Sequence, residues 1–218
     1  MLKHDDLLER TLTERLVAII RLRHNAPLAR VAEALVAGGI RALEFTLTSP
    51  GAVPAITTCR ARFGDDIIVG AGTVLDEEEA RRCLDAGAQF LVSPGFDRAV
   101  VAMARERGAL AMPGALTPTE IVTAWRAGAD MVKVFPARSF GPRYIADLLA
   151  PLPRIPLMPT GGVDETNVAD YLRAGAVGVA VGGKLVAEDA VARADWDALT
   201  ARARVLVAAV RQVGDHMS

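Results

Sequence analysis

The chain has 218 residues, 51% of them apolar and 23% charged, the composition of a globular protein rather than a disordered or fibrous one. A formal net charge of −1 gives no electrostatic basis for binding nucleic acid or an anionic membrane. No apolar run approaches the ~20 residues that cross a bilayer, and the polar, acidic "MLKHDDLLERTLTERL" lacks the pattern of a secretory signal, so a cytoplasmic protein is expected.

In chain order, a helix is expected ahead of the first strand. Strands follow near 17–21, 41–47, 67–70, 89–92, 109–112, 130–134, 155–159 and 177–181. Each is a continuous apolar run, the pattern of parallel strands buried on both faces. Helical patterns fill the gaps, and a final helix is predicted near 195–211. One junction recurs: "LVAGGIRALEF", "CLDAGAQFLV", "RERGALAM", "WRAGADMVKV" and "LRAGAVGVAV". Gly38, Gly87, Gly108, Gly128 and Gly175 are assigned to the left-handed position just past a helix end. Thr117-Pro118 with Glu120, and Asp164 after "TGGV", read as helix starts.

Eight such strand–helix units predict one (β/α)8 TIM barrel over residues 1–218, with an extra N-terminal helix. A doubly wound open sheet is the alternative. It would place a Gly-rich fingerprint after the first strand, where the chain reads "IIRLRHNAP". In a barrel the active site lies at the C-terminal ends of the strands. Those ends carry, in order, Arg21, Glu44, Thr73, Ser93-Pro94, "AMPGALTPTE", Lys133, "MPTGGV" and "VAVGGK". Packing alone does not explain polar residues gathered at one end of apolar strands.

Lys133 stands out within "ADMVKVFPA". Of the 25 basic residues only Lys3, Lys133 and Lys184 are lysines; the rest are arginines. A lysine can lose its proton and act as an amine nucleophile, which arginine cannot. The competing reading is a strand-end lysine snorkelling to solvent. Glu44, between Leu43 and Phe45, is costly in a strand unless it is paired or working. It reads either as a structural ion pair with Arg21 or Lys133, or as a proton-transfer partner of Lys133. Gly161 and Gly162 after strand 7, and Gly182 and Gly183 after strand 8, fit a backbone phosphate cradle or, alternatively, ordinary tight turns. Cys59 and Cys83 read as reduced thiols. The histidines His4, His24 and His216 form no cluster, so neither a metal site nor a Ser–His–Asp triad is expected.

Taken together, "AGGIRALEFTL", "GAGTVL", "LVSPG", "MPGALTPTEI", "VKVFPA" and "MPTGGV" resemble the class I 2-keto-3-deoxy-6-phosphogluconate (KDPG) / 4-hydroxy-2-oxoglutarate (KHG) aldolases, in the family's order and over nearly the whole chain. The resemblance implies a (β/α)8 barrel, a homotrimer, a small 2-keto acid substrate and no metal or other cofactor. It implies Lys133 as the Schiff-base residue and Glu44 as general acid/base. Thr73 and Pro94 line the pyruvate pocket with Thr160, Phe135 packs beside the lysine, and Gly161, Gly162, Gly182 and Gly183 hold a distal phosphate.

Two positions depart from that pattern. Thr48 stands where many relatives carry an arginine four residues after the glutamate, and Arg21 is read as taking over the anion contact. Gly183-Lys184 replaces the usual serine of the last phosphate loop, with Lys184 either a point charge for phosphate or a solvent-facing residue. The alternatives in substrate are the galactonate epimer and a non-phosphorylated keto acid. The alternatives in class are a non-covalent phosphosugar isomerase and a sugar-acid-binding barrel.

Overall fold

The computed structural model describes residues 2–214. Helix α1 (His4–Glu14) leads into strand β1 (Leu16–Ile20). The strands that follow are β2 (Ala42–Thr46), β3 (Ile68–Gly72), β4 (Phe90–Val92), β5 (Leu110–Met112), β6 (Gly114–Ala115), β7 (Val132–Val134), β8 (Leu157–Pro159) and β9 (Val179–Val181). The main connecting helices are α2 (Leu28–Ala37), α3 (Ala52–Phe63), α4 (Glu77–Asp85), α5 (Arg98–Glu106), α6 (Pro118–Arg126), α7 (Gly141–Leu149) and α8 (Val168–Arg173). Helices α9 (Glu188–Ala192) and α10 (Trp196–Gly214) come after β9.

The strands pair in parallel in the order β5-β4-β3-β2-β1-β9, with β6-β7-β8 as the remaining arc. Two seams close the circle. β5 and β6 are one barrel strand divided at Pro113, whose missing N–H cannot donate to a ladder. The Pro113 carbonyl still accepts from the Lys133 N–H at 3.0 Å. On the other side a bridge between Thr160 and Ala180 ties β8 to β9. The sheet is therefore the closed (β/α)8 barrel expected from the repeat, and it carries the extra N-terminal helix.

The strands are buried along their whole length, which accounts for their unbroken apolar runs. Successive side chains alternate between two cores. Ala18, Ile20, Leu43, Phe45 and Val69 face outward to the helices. Val17, Ile19, Ala42, Ile68, Phe90, Met112, Met131 and Met158 fill the barrel interior. Leu7 of α1 joins the interior cluster, so α1 plugs the end where the strands begin. There His4 Nε2 lies 3.0 Å from an Asp130 carboxylate oxygen, and the other Asp130 oxygen accepts from the Ala111 N–H at 2.8 Å. Arg10 reaches the carbonyls of Asp65 and Asp66.

Gly87, Gly108, Gly128 and Gly175 take the left-handed conformation expected of them; Gly38 does not. Gly38 has φ −82°, and its neighbour Gly39 makes the turn with φ +100°. Gly38 serves contact instead: a Cβ there would lie 2.4 Å from the Ala203 Cβ and 2.7 Å from the Thr200 carbonyl oxygen. Thr117 and Glu120 form the expected capping box at the start of α6. Asp164 does not begin α8. Its carboxylate accepts from the Thr166 N–H and hydroxyl, a local turn that delays the helix to Val168.

Candidate active site

Alternation along the strands decides which polar side chains meet. Ala42, Met131 and Met158 face the interior, so Glu44, Lys133 and Thr160, two residues further on, face it too, one level higher. All three are buried; Glu44 is 1% exposed and Lys133 3%. Snorkelling to solvent is therefore not how Lys133 is accommodated.

A carboxylate at that level needs space, and Gly72 supplies it. A Cβ on Gly72 would fall 1.8 Å from Glu44 Oε1, so this position of β3 admits no side chain while Glu44 occupies its place. Gly70, two residues below, leaves room in the same way for the Phe90 ring. Neither Glu44 carboxylate oxygen has a hydrogen-bond partner among the described residues. A structural ion pair with direct contact is thus not what holds Glu44. Burial pushes its carboxyl above the ordinary value, opposed by the positive charges of Lys133 and Arg21. Burial holds the Lys133 amine below its ordinary value; Glu44 opposes that shift and Arg21 adds to it. Burial thus disfavours the charged form of both groups, the ammonium of Lys133 and the carboxylate of Glu44.

The other expected residues surround this pair unevenly. The Lys133 amine nitrogen lies 5.0 Å from the centre of the Phe135 ring. Gly161 lies against the same ring, a Cβ there falling 3.1 Å from it. Thr160 donates its N–H to the Val134 carbonyl at 2.9 Å, which fixes the start of the glycine turn beside β7. The Gly161 carbonyl accepts from the Arg138 N–H at 2.9 Å. The N–H groups of Gly161, Gly162 and Gly183 make no backbone hydrogen bond among the described residues, and donors of that kind suit an anion. Thr73, just past β3, has φ +60°, a strained conformation for a β-branched residue and one found disproportionately at working sites. Pro94 follows β4, and its carbonyl packs where Gly114 lacks a side chain. Arg21 directly follows β1, exposed, yet its charge reaches both Glu44 and Lys133. Gly182 directly follows β9.

Lys184 is placed differently. It is exposed and lines a groove of about 200 Å³ with Glu165, Leu185, Arg202 and Val205, against α10. Sequence reasoning missed Gly72; the signal was the pair of glycines in "GAGTVL", each of which admits a neighbour's side chain. It also missed Thr46 and Ser49, whose hydroxyls are buried at the end of β2. Cys59 and Cys83 are free and buried, and burial pushes both thiols up to about 11, so neither supplies a thiolate near neutral pH. Among the described residues no three His, Cys, Asp or Glu side chains gather as a metal-ligand set.

Comparison with known proteins gives the chain a family. The family model described as KDPG and KHG aldolase matches residues 8–202. The 2-dehydro-3-deoxy-phosphogluconate aldolase of Treponema pallidum is 38% identical over 197 residues, covering 90% of this chain and 92% of its own. The 2-dehydro-3-deoxy-6-phosphogalactonate aldolase of Escherichia coli is 37% identical over 172 residues, covering 78% and 83%. A solved structure described as native KDPGal superposes with a TM-score of 0.85 at 33% identity, over 92% of this chain and 96% of that one. A buried lysine and glutamate at the top of a closed barrel, and a family model that runs from α1 into α10, lead to one assignment: the chain belongs to the KDPG and KHG aldolase family.

Proposed function

We propose that the protein is a single-domain class I aldolase. It cleaves 2-keto-3-deoxy-6-phosphogluconate to pyruvate and glyceraldehyde 3-phosphate, and 4-hydroxy-2-oxoglutarate to pyruvate and glyoxylate. One arrangement carries the reading: an amine whose charge burial disfavours, sharing the barrel interior with a carboxylate that has no hydrogen-bond partner among the described residues.

In this reading the unprotonated Lys133 nitrogen adds to the C2 carbonyl; the carbinolamine hydroxyl takes a proton from solvent and leaves as water, giving an iminium, and hydrolysis at the end of the cycle returns that proton. Its positive nitrogen accepts the electron pair of the C3–C4 bond as that bond breaks. The C4 hydroxyl loses its proton to Glu44 through one bridging water, C4 leaves as the aldehyde, and the enamine of pyruvate stays on Lys133. Glu44 returns the proton to C3. Water then hydrolyses the iminium, releasing pyruvate and the free amine. Glu44 begins and ends ionised, and burial helps it hold the proton between the two steps.

Thr73, Pro94, Thr160 and Phe135 line the pyruvate end of this site, and Arg21 meets an anionic group of the substrate. The N–H groups of Gly161, Gly162, Gly182 and Gly183 hold the distal phosphate, with Lys184 as a rim charge that screens it. The enzyme works in the cytoplasm as a homotrimer and needs no cofactor. The two free cysteines suit a reducing compartment.

The test is chemical. Incubation with pyruvate followed by borohydride should leave a stable mass increase on Lys133, and Lys133→Arg should give neither adduct nor turnover, because guanidinium stays protonated. An unmodified Lys133 favours a non-covalent isomerase or a binding barrel. Relatives named for the gluconate and the galactonate substrates match this chain about equally, at 38% and 37% identity. These substrates differ in the configuration of the C4 hydroxyl, and kcat/KM measured side by side on the two decides between them.

A further inference from the structure

Strand β1 leaves the sheet at Ile20, and its ladder with β2 ends at the pair Ile20 and Phe45. Arg21 is the next residue, so no strand pairing fixes its backbone. Side chains from the end of β2 hold the chain on both sides of it. The Leu22 N–H donates to Ser49 Oγ at 3.0 Å. Thr46 Oγ1 donates to the Ile20 carbonyl at 3.3 Å. The two hydroxyl oxygens are 3.1 Å apart, and Thr48 Oγ1 donates to Thr46 Oγ1 at 3.2 Å. Thr46 is 0% exposed and Ser49 3%.

Proton accounting gives this cluster a direction. Each hydroxyl has one proton and two lone pairs. With the Thr46 proton directed to the Ile20 carbonyl, Ser49 is the donor in the contact between the two. A continuous chain results: Leu22 N–H to Ser49 O–H to Thr46 O–H to Ile20 C=O, with Arg21 enclosed between its ends. Bonds aligned in one direction polarise and strengthen one another. The circuit sets the backbone from which the Arg21 side chain extends, and Arg21 is the charge sensed by both Glu44 and Lys133.

We propose that Thr46 and Ser49 are positioning residues for Arg21, clamping its backbone so that the guanidinium meets an anionic group of the substrate. The proposal rests on the aldolase reading and on the role that reading gives Arg21. If these hydroxyls only satisfied buried backbone groups, their loss would reduce stability without depending on the arginine.

The experiment is a double-mutant cycle on kcat/KM, using whichever phosphorylated epimer the wild-type protein cleaves, with circular dichroism confirming that each variant is folded. Arg21→Ala alone reports whether Arg21 acts on the substrate, and the borohydride adduct on Lys133 reports the aldolase reading separately. Thr46→Val is expected to raise KM about tenfold with little change in kcat, as loss of an oriented charged contact should. Thr46→Ser, which keeps the hydroxyl, should restore KM to within about threefold of wild type. In an Arg21→Ala background Thr46→Val should have no further effect on KM, the non-additivity of residues acting as one unit. Ser49→Ala provides the same cycle should Thr46→Val fail to fold. Additive losses, or no rescue by serine, overturn the positioning role. An unaffected Arg21→Ala variant overturns it as well, by leaving nothing to position, and is distinguished by an intact Lys133 adduct.

Discussion

At the scale of single residues, the role proposed for Glu44 rests on a buried carboxylate with no hydrogen-bond partner among the described residues, and its place depends on the missing side chain at Gly72. Gly72→Ala keeps a backbone conformation that alanine accepts, because this strand residue has no positive φ. Its Cβ would nevertheless occupy the position of Glu44 Oε1. The expected result is a folded protein that has lost ~10²–10⁴-fold in kcat, as after removal of a general acid/base. Wild-type turnover would move that role away from Glu44. The electrical coupling of the pair has its own signature. The Glu44 charge raises the Lys133 pKa, whereas burial and Arg21 lower it. Glu44→Gln therefore leaves only lowering influences, and the neutral amine persists to lower pH. The acid limb of the pyruvate-trapping rate should shift to lower pH in Glu44→Gln and to higher pH in Arg21→Ala. The rate of adduct formation against pH, followed by mass, checks both directions, and an unmoved limb in Glu44→Gln would show the two groups to be uncoupled.

At the scale of elements, the strands were legible because burial on both faces leaves a plain trace, an unbroken apolar run. What the sequence hid was contact between elements distant along the chain. Gly38 looked like one more helix-end glycine, but its neighbour Gly39 makes the turn, and Gly38 is small because α10 passes over it. Gly38→Ala, at φ −82°, strains no backbone and still forces α2 and α10 apart. It should cost about 1–3 kcal/mol, read by denaturant unfolding. Gly108→Ala, at φ +68° with nothing within 4 Å, should cost only the left-handed penalty of roughly 1–2 kcal/mol. Equal and negligible costs at both would remove the packing role from Gly38. Lys133 and Glu44 were readable for a related reason: charged residues in apolar runs have no structural excuse. The hydroxyls of Thr46 and Ser49 were not readable, because Ser and Thr at the end of a strand and in the turn after it are ordinary residues until the neighbouring strand is in place.

At the scale of the whole molecule, the barrel separates two tasks. The ends of the strands carry the polar site, and the beginnings are sealed by α1, with Leu7 inserted and His4 tied to a buried Asp130. Conclusions about one end should then be independent of the other. His4→Ala removes one partner of a contact to a carboxylate, worth about 1.5–3 kcal/mol, and each kcal/mol lowers the melting temperature of a chain this size by roughly 2–4 °C. Turnover at a temperature below the transition should be unchanged. A fall in kcat with no fall in melting temperature would mean that the lower end of the barrel communicates with the site.

The scarcity of lysine has a practical consequence for attaching the molecule to a surface. Reagents that couple to primary amines meet few side-chain targets here: Lys133 is shielded by the barrel, Lys3 lies on the sealed end beside α1, and Lys184 lies on the open end after β9. Lys184→Arg would keep the positive charge and leave Lys3 the one exposed lysine side chain among the described residues. A protein immobilised through it would stand on its plug, with the mouth of the barrel turned toward the solution.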